Sequence, residues 1–110
     1  MAKFVTFFTL NPQTIQRFID NPSDRAAALR GVMEPMGGKL DGYYFMFGAD
    51  DGMVIYDAPD SNTAAAVSLA VSSTGAFGHL RTHELIPAEN LNAVLERAKS
   101  VRATYRPPGA

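Results

Sequence analysis

The sequence predicts a single α+β domain with a four-stranded antiparallel sheet, and three observations support this fold class. Its 110 residues are enough for one domain and too few for two. Runs of aromatic and β-branched residues, typical of strands, alternate with apolar stripes at helical spacing in the order strand, helix, strand, strand, helix, strand. Glycine, proline, asparagine and aspartate cluster between these runs, where turns and helix ends are expected.

The N-terminal part of the chain predicts a strand followed by a broken helix. Residues 4–10 are rich in Phe, Val and Thr, and both faces of that strand are largely apolar. Asn11 is the expected N-cap of the helix, with Pro12 at its first position. We expect the helix to break at residues 20–23, because a proline there disfavours helix in the residue before it, and to end at the glycine pair 37–38.

The second strand is predicted at residues 39–47, with Leu40, Tyr44 and Met46 on one face. The glycine-bounded and acidic segment 48–52 is a turn by composition, so this strand and the next form a hairpin. The later elements are a third strand, a small apolar helix, a fourth strand and a C-terminal helix starting at Pro87, predicted at residues 53–57, 58–75, 79–86 and 87–103.

This element order is that of the ferredoxin-like βαββαβ fold, with helices on one face of the sheet and, here, an extra C-terminal helix. We assign residues 1–103 to the domain and residues 104–110, which carry two adjacent prolines, to a loose tail. Because the first strand is apolar on both faces, the face opposite the helices needs cover. We therefore predict a homodimer in which two sheets close into a dimeric α+β barrel.

Composition excludes several classes of function. The net charge is −1, so there is no basic field to attract nucleic acid or an anionic membrane surface. No cysteine is present, which rules out disulfides, thiol catalysis and cysteine zinc sites and is typical of a reducing compartment. No apolar run approaches the roughly 18 residues that span a bilayer. We therefore predict a cytoplasmic location, with neither nucleic acid nor membrane as a partner.

Three polar side chains of the predicted fourth strand are the main candidates for a ligand site. His79, Arg81 and His83 alternate and so share one face. Imidazoles titrate near neutral pH and guanidinium groups bind carboxylates, so this set suits an anionic ligand or a proton transfer. Tyr44 is expected to add a phenol to the same cavity. The alternative is that these residues meet solvent or pair across the dimer, as on many half-solvated strands.

Catalytic and metal motifs are absent from the sequence. It has no glycine-rich phosphate loop, no serine nucleophile elbow and no zinc-binding helix. The two histidines are too few for a metal site without carboxylates such as Asp41 or Asp51, so we expect neither metal nor cofactor. The absence of a catalytic motif favours a non-enzymatic protein that binds a small molecule or serves an accessory or stress-related role. The alternatives are a cofactor-independent enzyme, of monooxygenase or isomerase type, and a purely structural protein.

Two segments resemble the GYD-domain family of small bacterial and archaeal proteins. They are GGKLDGYYFMFGADDGMVIYDAPD, residues 37–60, and HLRTHEL, residues 79–85; with the first helix and its restart the resemblance covers roughly residues 3 to 87. Gly48 and Asp51 match the glycine and aspartate of the hairpin motif that names the family, whereas Asp50 stands where its tyrosine is usual. The resemblance implies a dimeric α+β barrel and no particular biochemical function.

The fourth strand also carries part of this resemblance. Arg81 and Thr82 match an Arg-Thr pair of the family, whereas His83 stands where an acidic residue is common. The resemblance therefore supports the fold and leaves the choice among the functions above open.

Overall fold

Four strands form one antiparallel sheet in the computed structural model, which describes residues 1–110. The strands are β1 (Ala2–Leu10), β2 (Lys39–Phe45), β3 (Gly52–Ala58) and β4 (Phe77–Leu85). Their order across the sheet is β2-β3-β1-β4, with every neighbouring pair antiparallel. This arrangement confirms the predicted α+β class and the ferredoxin-like topology.

Four helices accompany the sheet, and two 3-10 turns precede β2 and the last helix. The helices are α1 (Pro12–Asp20), α2 (Arg25–Met33), α3 (Ser61–Ser72) and α4 (Leu91–Thr104), and the 3-10 turns are Glu34–Met36 and Ala88–Asn90. Side chains of α1, α2 and α3 face one side of the sheet, which leaves the other side uncovered within one chain. None of the helices is both long and apolar enough to span a bilayer.

Most helix starts and stops follow the sequence signals, but the prediction that the C-terminal helix starts at Pro87 is wrong, because a 3-10 turn follows that proline and α4 begins at Leu91. The carboxylates of Asp24 and Asp60 accept hydrogen bonds from the backbone N–H groups of Ala27 and Thr63, at 3.0 and 2.8 Å, and so cap α2 and α3. Asn11 precedes α1 as predicted, but its side chain makes no capping bond. It donates instead to the carbonyl of Gly75, which ties the start of α1 to the loop before β4.

The core lies between the sheet and the helices and is thin. Its buried side chains come from the helix-facing positions of β1 and β3 and from one residue each of α2 and α3: Phe4, Phe8, Val54, Tyr56, Ala58, Met33 and Ala64. The Phe8 ring packs edge-on against Tyr43, Phe45 and Phe77, with centroids 5.3 to 6.0 Å apart. This aromatic cluster holds the two edge strands against the centre of the sheet.

The prediction that Leu40, Tyr44 and Met46 share one face of β2 is wrong. Pairing with β3 shifts register between Leu40 and Gly42, so one extra residue bulges out of the strand. Leu40 therefore packs on the helix side, whereas Tyr44, opposite Met53, lies on the other side. Regular β2 structure also ends at Phe45, before Met46. Strict alternation of side chains along the strand predicted the wrong faces, because the bulge interrupts that alternation.

The C-terminal helix α4 stands apart from the rest of the fold. It begins at Leu91, after the 3-10 turn, and none of its residues is buried. Its projection gives the chain a longest dimension of 58 Å against 23 Å for the shortest. The apolar stripe of this helix therefore has no partner within one chain.

Candidate functional site

The three candidate residues of β4 lie on the face of the sheet opposite the helices. His79, Arg81 and His83 pair with Thr9, Phe7 and Val5 of β1, positions that alternate with the buried residues of the helix side. All three side chains belong to exposed residues. We call this uncovered side of the sheet the open face.

Arg81 already has partners on the open face. Its guanidinium donates to a carboxylate oxygen of Asp50 at 2.6 Å, and its central carbon lies 5.3 Å from the centroid of the Phe7 ring. His83 meets the same ring edge-on, with centroids 6.3 Å apart. The Phe7 ring thus contacts both Arg81 and His83, and the Asp50 carboxylate balances the charge of the guanidinium.

Tyr44 shares the open face but not the neighbourhood of this cluster. It lies on β2, at one edge of the sheet, whereas β4 is the opposite edge strand. Three strand spacings separate them, about 14 Å at the usual spacing of about 4.8 Å. Within one chain, therefore, the structure brings His79, Arg81 and His83 together on one strand and leaves Tyr44 apart.

The residues of the hairpin motif hold the β2–β3 turn against β1. A carboxylate oxygen of Asp51 accepts a hydrogen bond from the backbone N–H of Leu10 at 2.7 Å. The Asp51 backbone N–H donates to the carbonyl of Phe8 at 2.8 Å. Gly48 has a φ of 149°, which favours glycine. The geometry therefore gives Asp51 a structural role, while its neighbour Asp50 faces Arg81.

A half-open, mainly apolar pocket lies on the other side of the sheet, beneath the helices. It has a volume of about 370 Å³ and is lined by 19 residues, of which 14 are hydrophobic. Its walls come from α1, α2, α3 and the helix side of the sheet, and include Phe8, Phe18, Leu29, Met33, Val67 and Leu80. Sequence reasoning placed the site on the open face and missed this cavity, because its walls have the composition of an ordinary core.

One row of residues across the sheet forms part of the cavity floor. Tyr43 pairs with Val54, Val54 with Thr6, and Thr6 with Thr82. The Thr6 hydroxyl hydrogen-bonds the Thr82 hydroxyl at 2.8 Å and approaches the Tyr56 hydroxyl at 3.4 Å, while Ser68 of α3 reaches Thr82 at 3.0 Å. A chain of hydroxyl groups thus crosses the otherwise apolar floor and can rearrange around a polar group of a ligand.

Tyr43 and Arg25 bring polar groups to another part of the same cavity. Burial raises the pKa of the Tyr43 phenol, an effect that nearby Arg25 partly opposes. The phenol is therefore protonated at neutral pH and available as a hydrogen-bond donor. The Arg25 guanidinium lies 5.8 Å from the centroid of the Phe18 ring. These groups, with the hydroxyls on the floor, are the polar contacts that the cavity offers.

No three His, Asp or Glu side chains lie close enough together to hold a metal ion. The densest group of charges on the open face is Lys3 with Asp41 and Asp57. Lys3 donates to the carboxylate of Asp41 and lies 3.2 Å from that of Asp57. The hydrogen bond to Asp41 raises the pKa of Lys3, and the same bond lowers the pKa of Asp41.

Comparison with solved structures finds the same fold at low sequence identity. The chain resembles 5-chloro-2-hydroxyhydroquinone dehydrochlorinase (TftG) from Burkholderia phenoliruptrix AC1100, solved in complex with 2,5-dihydroxybenzoquinone, with a TM-score of 0.54 and 17% identity over 80% of this chain and 97% of that one. It also resembles At3g17210 from Arabidopsis thaliana, with a TM-score of 0.44 and 15% identity over 80% and 96% of the two chains. No protein of curated function matches the sequence significantly.

The sequence profile of the GYD domain matches residues 4–95, which span all four strands and helices α1 to α3. The match extends beyond the segments in which the resemblance was first visible and includes both Gly48 and Asp51. The chain therefore belongs to the GYD domain family.

Proposed function

We propose that the protein binds a small, largely apolar molecule and functions as a homodimer, with the ligand held in the cavity between the helices and the sheet. The observation that carries this proposal is a half-open pocket of about 370 Å³ with 14 hydrophobic residues among the 19 that line it. Small-molecule sites are usually apolar pockets of about 300–1,000 Å³ with a few directed polar groups. The hydroxyls of Thr6, Tyr56 and Ser68 and the phenol of Tyr43 supply such groups.

A cavity of this size is unusual as a packing defect. Protein interiors are close-packed, and voids much larger than a water molecule are few. A pocket that leaves mainly apolar side chains open to solvent, in a domain with only twelve buried residues, therefore needs a reason. Ligand binding supplies that reason, because a bound molecule restores the missing contacts.

The open face of the sheet supports the homodimer. It presents Phe7, Met53 and Ile55 in its centre, none of which is fully buried by the chain itself. A sheet with one apolar uncovered face commonly packs against a second sheet. In the proposed dimer the two open faces meet, and His79, Arg81, His83 and Tyr44, which were predicted from the sequence as ligand-binding candidates, lie at this interface instead of in the pocket.

Helix α4 supplies a second unpartnered apolar surface for the same partner. Its exposed stripe consists of Leu91, Val94, Leu95 and Val101. Residues 91–110 hold four basic side chains and one acidic one, whereas residues 1–90 hold six basic and ten acidic. The C-terminal segment and the rest of the chain therefore carry opposite net charge. This complementarity favours packing of α4 against the body of a second copy.

Native mass spectrometry of the purified protein tests the proposal in one experiment. The expected result is a dimer with the additional mass of a retained small molecule. A dimer that stays unliganded, and takes up no member of a small-aromatic library, supports the purely structural alternative instead. A monomer contradicts the homodimer part of the proposal. The cysteine-free composition supports a cytoplasmic location as part of the same proposal.

The second candidate is a cofactor-independent enzyme that acts on a small aromatic compound in the same cavity. The protonated Tyr43 phenol beside Arg25 favours it, since these groups can donate a proton and stabilise developing negative charge. The dehydrochlorinase of similar fold, crystallised with a benzoquinone, is consistent with a ring-shaped ligand. On this account Tyr43→Phe abolishes turnover of a bound substrate, whereas His79→Ala and His83→Ala have no effect.

A further inference from the structure

Arg25 is the only charged residue among the 19 that line the cavity. No Asp, Glu, Lys or His contributes to the lining. Arg25 occupies the first turn of α2, and its guanidinium stacks over Phe18 of α1 near the Tyr43 phenol of β2. The Arg25 guanidinium thus lies at the edge of the apolar pocket, in contact with residues of α1 and β2.

The positive charge of Arg25 has no counterion within the chain. The ion pairs of the protein are Lys3 with Asp41 and Asp57, and Arg81 with Asp50. Arg81 therefore pairs with a carboxylate, whereas Arg25 is exposed and contacts the Phe18 ring and the Tyr43 phenol. A guanidinium presents a planar set of donors that matches a carboxylate in a bidentate geometry. At Arg25 no carboxylate of the chain occupies this set of donors.

We propose that the ligand of the cavity is a small aromatic or similarly apolar carboxylic acid, whose carboxylate pairs with Arg25 while its ring lies over Val54. This inference rests on the proposed function and specifies its ligand. The Tyr43 phenol donates a second hydrogen bond to the carboxylate. Thr6, two strand spacings or about 10 Å across the sheet from Tyr43, faces the far end of the ligand. That span suits a molecule of one or two rings.

Paired acids and amides test this assignment, since a primary amide has nearly the shape of a carboxylate without its charge. We would measure Kd by isothermal titration calorimetry for benzoate, 4-hydroxybenzoate and 2-naphthoate, each against its amide. With the wild-type protein at least one acid is expected to bind tenfold or more tightly than its amide. Arg25→Met should remove this preference by weakening the acid and leaving the amide within about twofold. Arg25→Lys, which keeps the positive charge but not the planar set of donors, should retain part of the preference for the acid.

Arg30→Met is the matched control, because Arg30 lies on the same helix, is exposed and makes no ion pair or side-chain hydrogen bond. It should keep the full preference for the acid. Equal binding of acids and amides by the wild type, or a preference that survives in Arg25→Met, overturns the role of Arg25 while the proposed small-molecule function stands. Failure of every acid and every amide to bind overturns both.

Discussion

Tyr43 and Thr6 lie in one cross-strand row of the sheet, on either side of Val54. The row therefore has hydroxyl groups at two points and a short aliphatic side chain between them. Val54 and Thr6 are both smaller than the Phe8, Tyr43 and Tyr56 side chains around them, and the half-open pocket lies between this part of the sheet and helices α1 to α3. The two short side chains of the row therefore leave room for the pocket in which we propose that the ligand binds.

Gly52 is required by the packing of the Phe8 ring. A Cβ atom built at Gly52 overlaps that ring, which is buried and held by the aromatic cluster. We expect Gly52→Ala to lower the free energy of unfolding by about 1–3 kcal/mol, as overpacking in a core does. Urea denaturation followed by circular dichroism measures this change.

Gly31→Ala provides the control for that substitution. Gly31 lies within α2, and a Cβ there meets no atom within 4 Å. The alanine should raise the free energy of unfolding by about 0.5–1 kcal/mol, because it favours helix. If the two substitutions changed the free energy of unfolding equally, contact with the Phe8 ring would not be the reason that position 52 requires glycine.

Asp51 should matter for stability rather than for ligand binding. Asp51→Ala removes the acceptor for the Leu10 N–H and is expected to lower the free energy of unfolding by about 1–3 kcal/mol. Asp51→Asn keeps an acceptor oxygen and should cost less. Calorimetric melting of both variants and of the wild type measures the order of their stabilities. If Asp51→Ala melts like the wild type yet loses ligand, the motif residue has a functional role instead.

The Lys3–Asp41 pair gives a pH signature. Its hydrogen bond to Lys3 lowers the pKa of Asp41 below the ordinary value of 3.8, so the ionised carboxylate contributes stability at neutral pH. That contribution is lost as the pH falls below about 4 through the folded-state pKa. The raised pKa of Lys3 sets an upper limit to the pH range in which the pair stabilises the fold. The contribution of the charged lysine to stability is lost only as the pH rises above the ordinary value of 10.5.

Carboxyl NMR titration of Lys3→Met tests this signature. The titration midpoint of Asp41 should move upward, towards its ordinary value, when the lysine is removed. The titration midpoint of Asp60 should be the same in both proteins, because hydrogen bonds from Thr63, and not Lys3, lower the pKa of that carboxyl. An Asp41 midpoint that is the same in both proteins contradicts the assignment of the shift to Lys3.

The homodimer is expected to depend on the open face. Ile55→Asp places a charge at the centre of that face, opposite Val5, and should convert the dimer to a monomer in light scattering. Ile19→Asp is the matched control, since Ile19 is exposed on α1, on the helix side. It should leave the mass unchanged. A dimer that persists in Ile55→Asp, or dissociates in Ile19→Asp, places the interface elsewhere.

Sequence patterns sufficed for the element order, because each boundary depends on local chemistry. Pro12 begins α1, Asp60 caps α3, and Gly37, with a φ of 79°, ends the turn after α2. The faces of β2 were not predictable in this way. A bulge at residue 41 depends on pairing with β3, and no local signal in the sequence specifies where one strand slips against the next.

The cavity could not be found from the sequence for a related reason. Val54, Thr6 and Leu29 are ordinary core residues, and whether they fill the space between sheet and helices depends on the distance between layers. Arg25 gave a weak signal, as a cation at the start of a helix in which Arg30 is the only other charged residue. The candidate residues on β4 were prominent because they are polar and alternate, which places them on a face and says nothing about an enclosed volume.

The most direct test of the account is a protein-observed NMR titration with the best-binding aromatic acid, on the wild type and on Val54→Phe. We predict shifts at Tyr43, Thr6 and Arg25 in the wild type. Their loss is expected in Val54→Phe, whose larger ring fills the space, while Ile19→Phe on the exposed face of α1 binds normally. Shifts confined to His79, Arg81 and His83 on the open face, or unchanged binding by Val54→Phe, would contradict a ligand site beneath the helices.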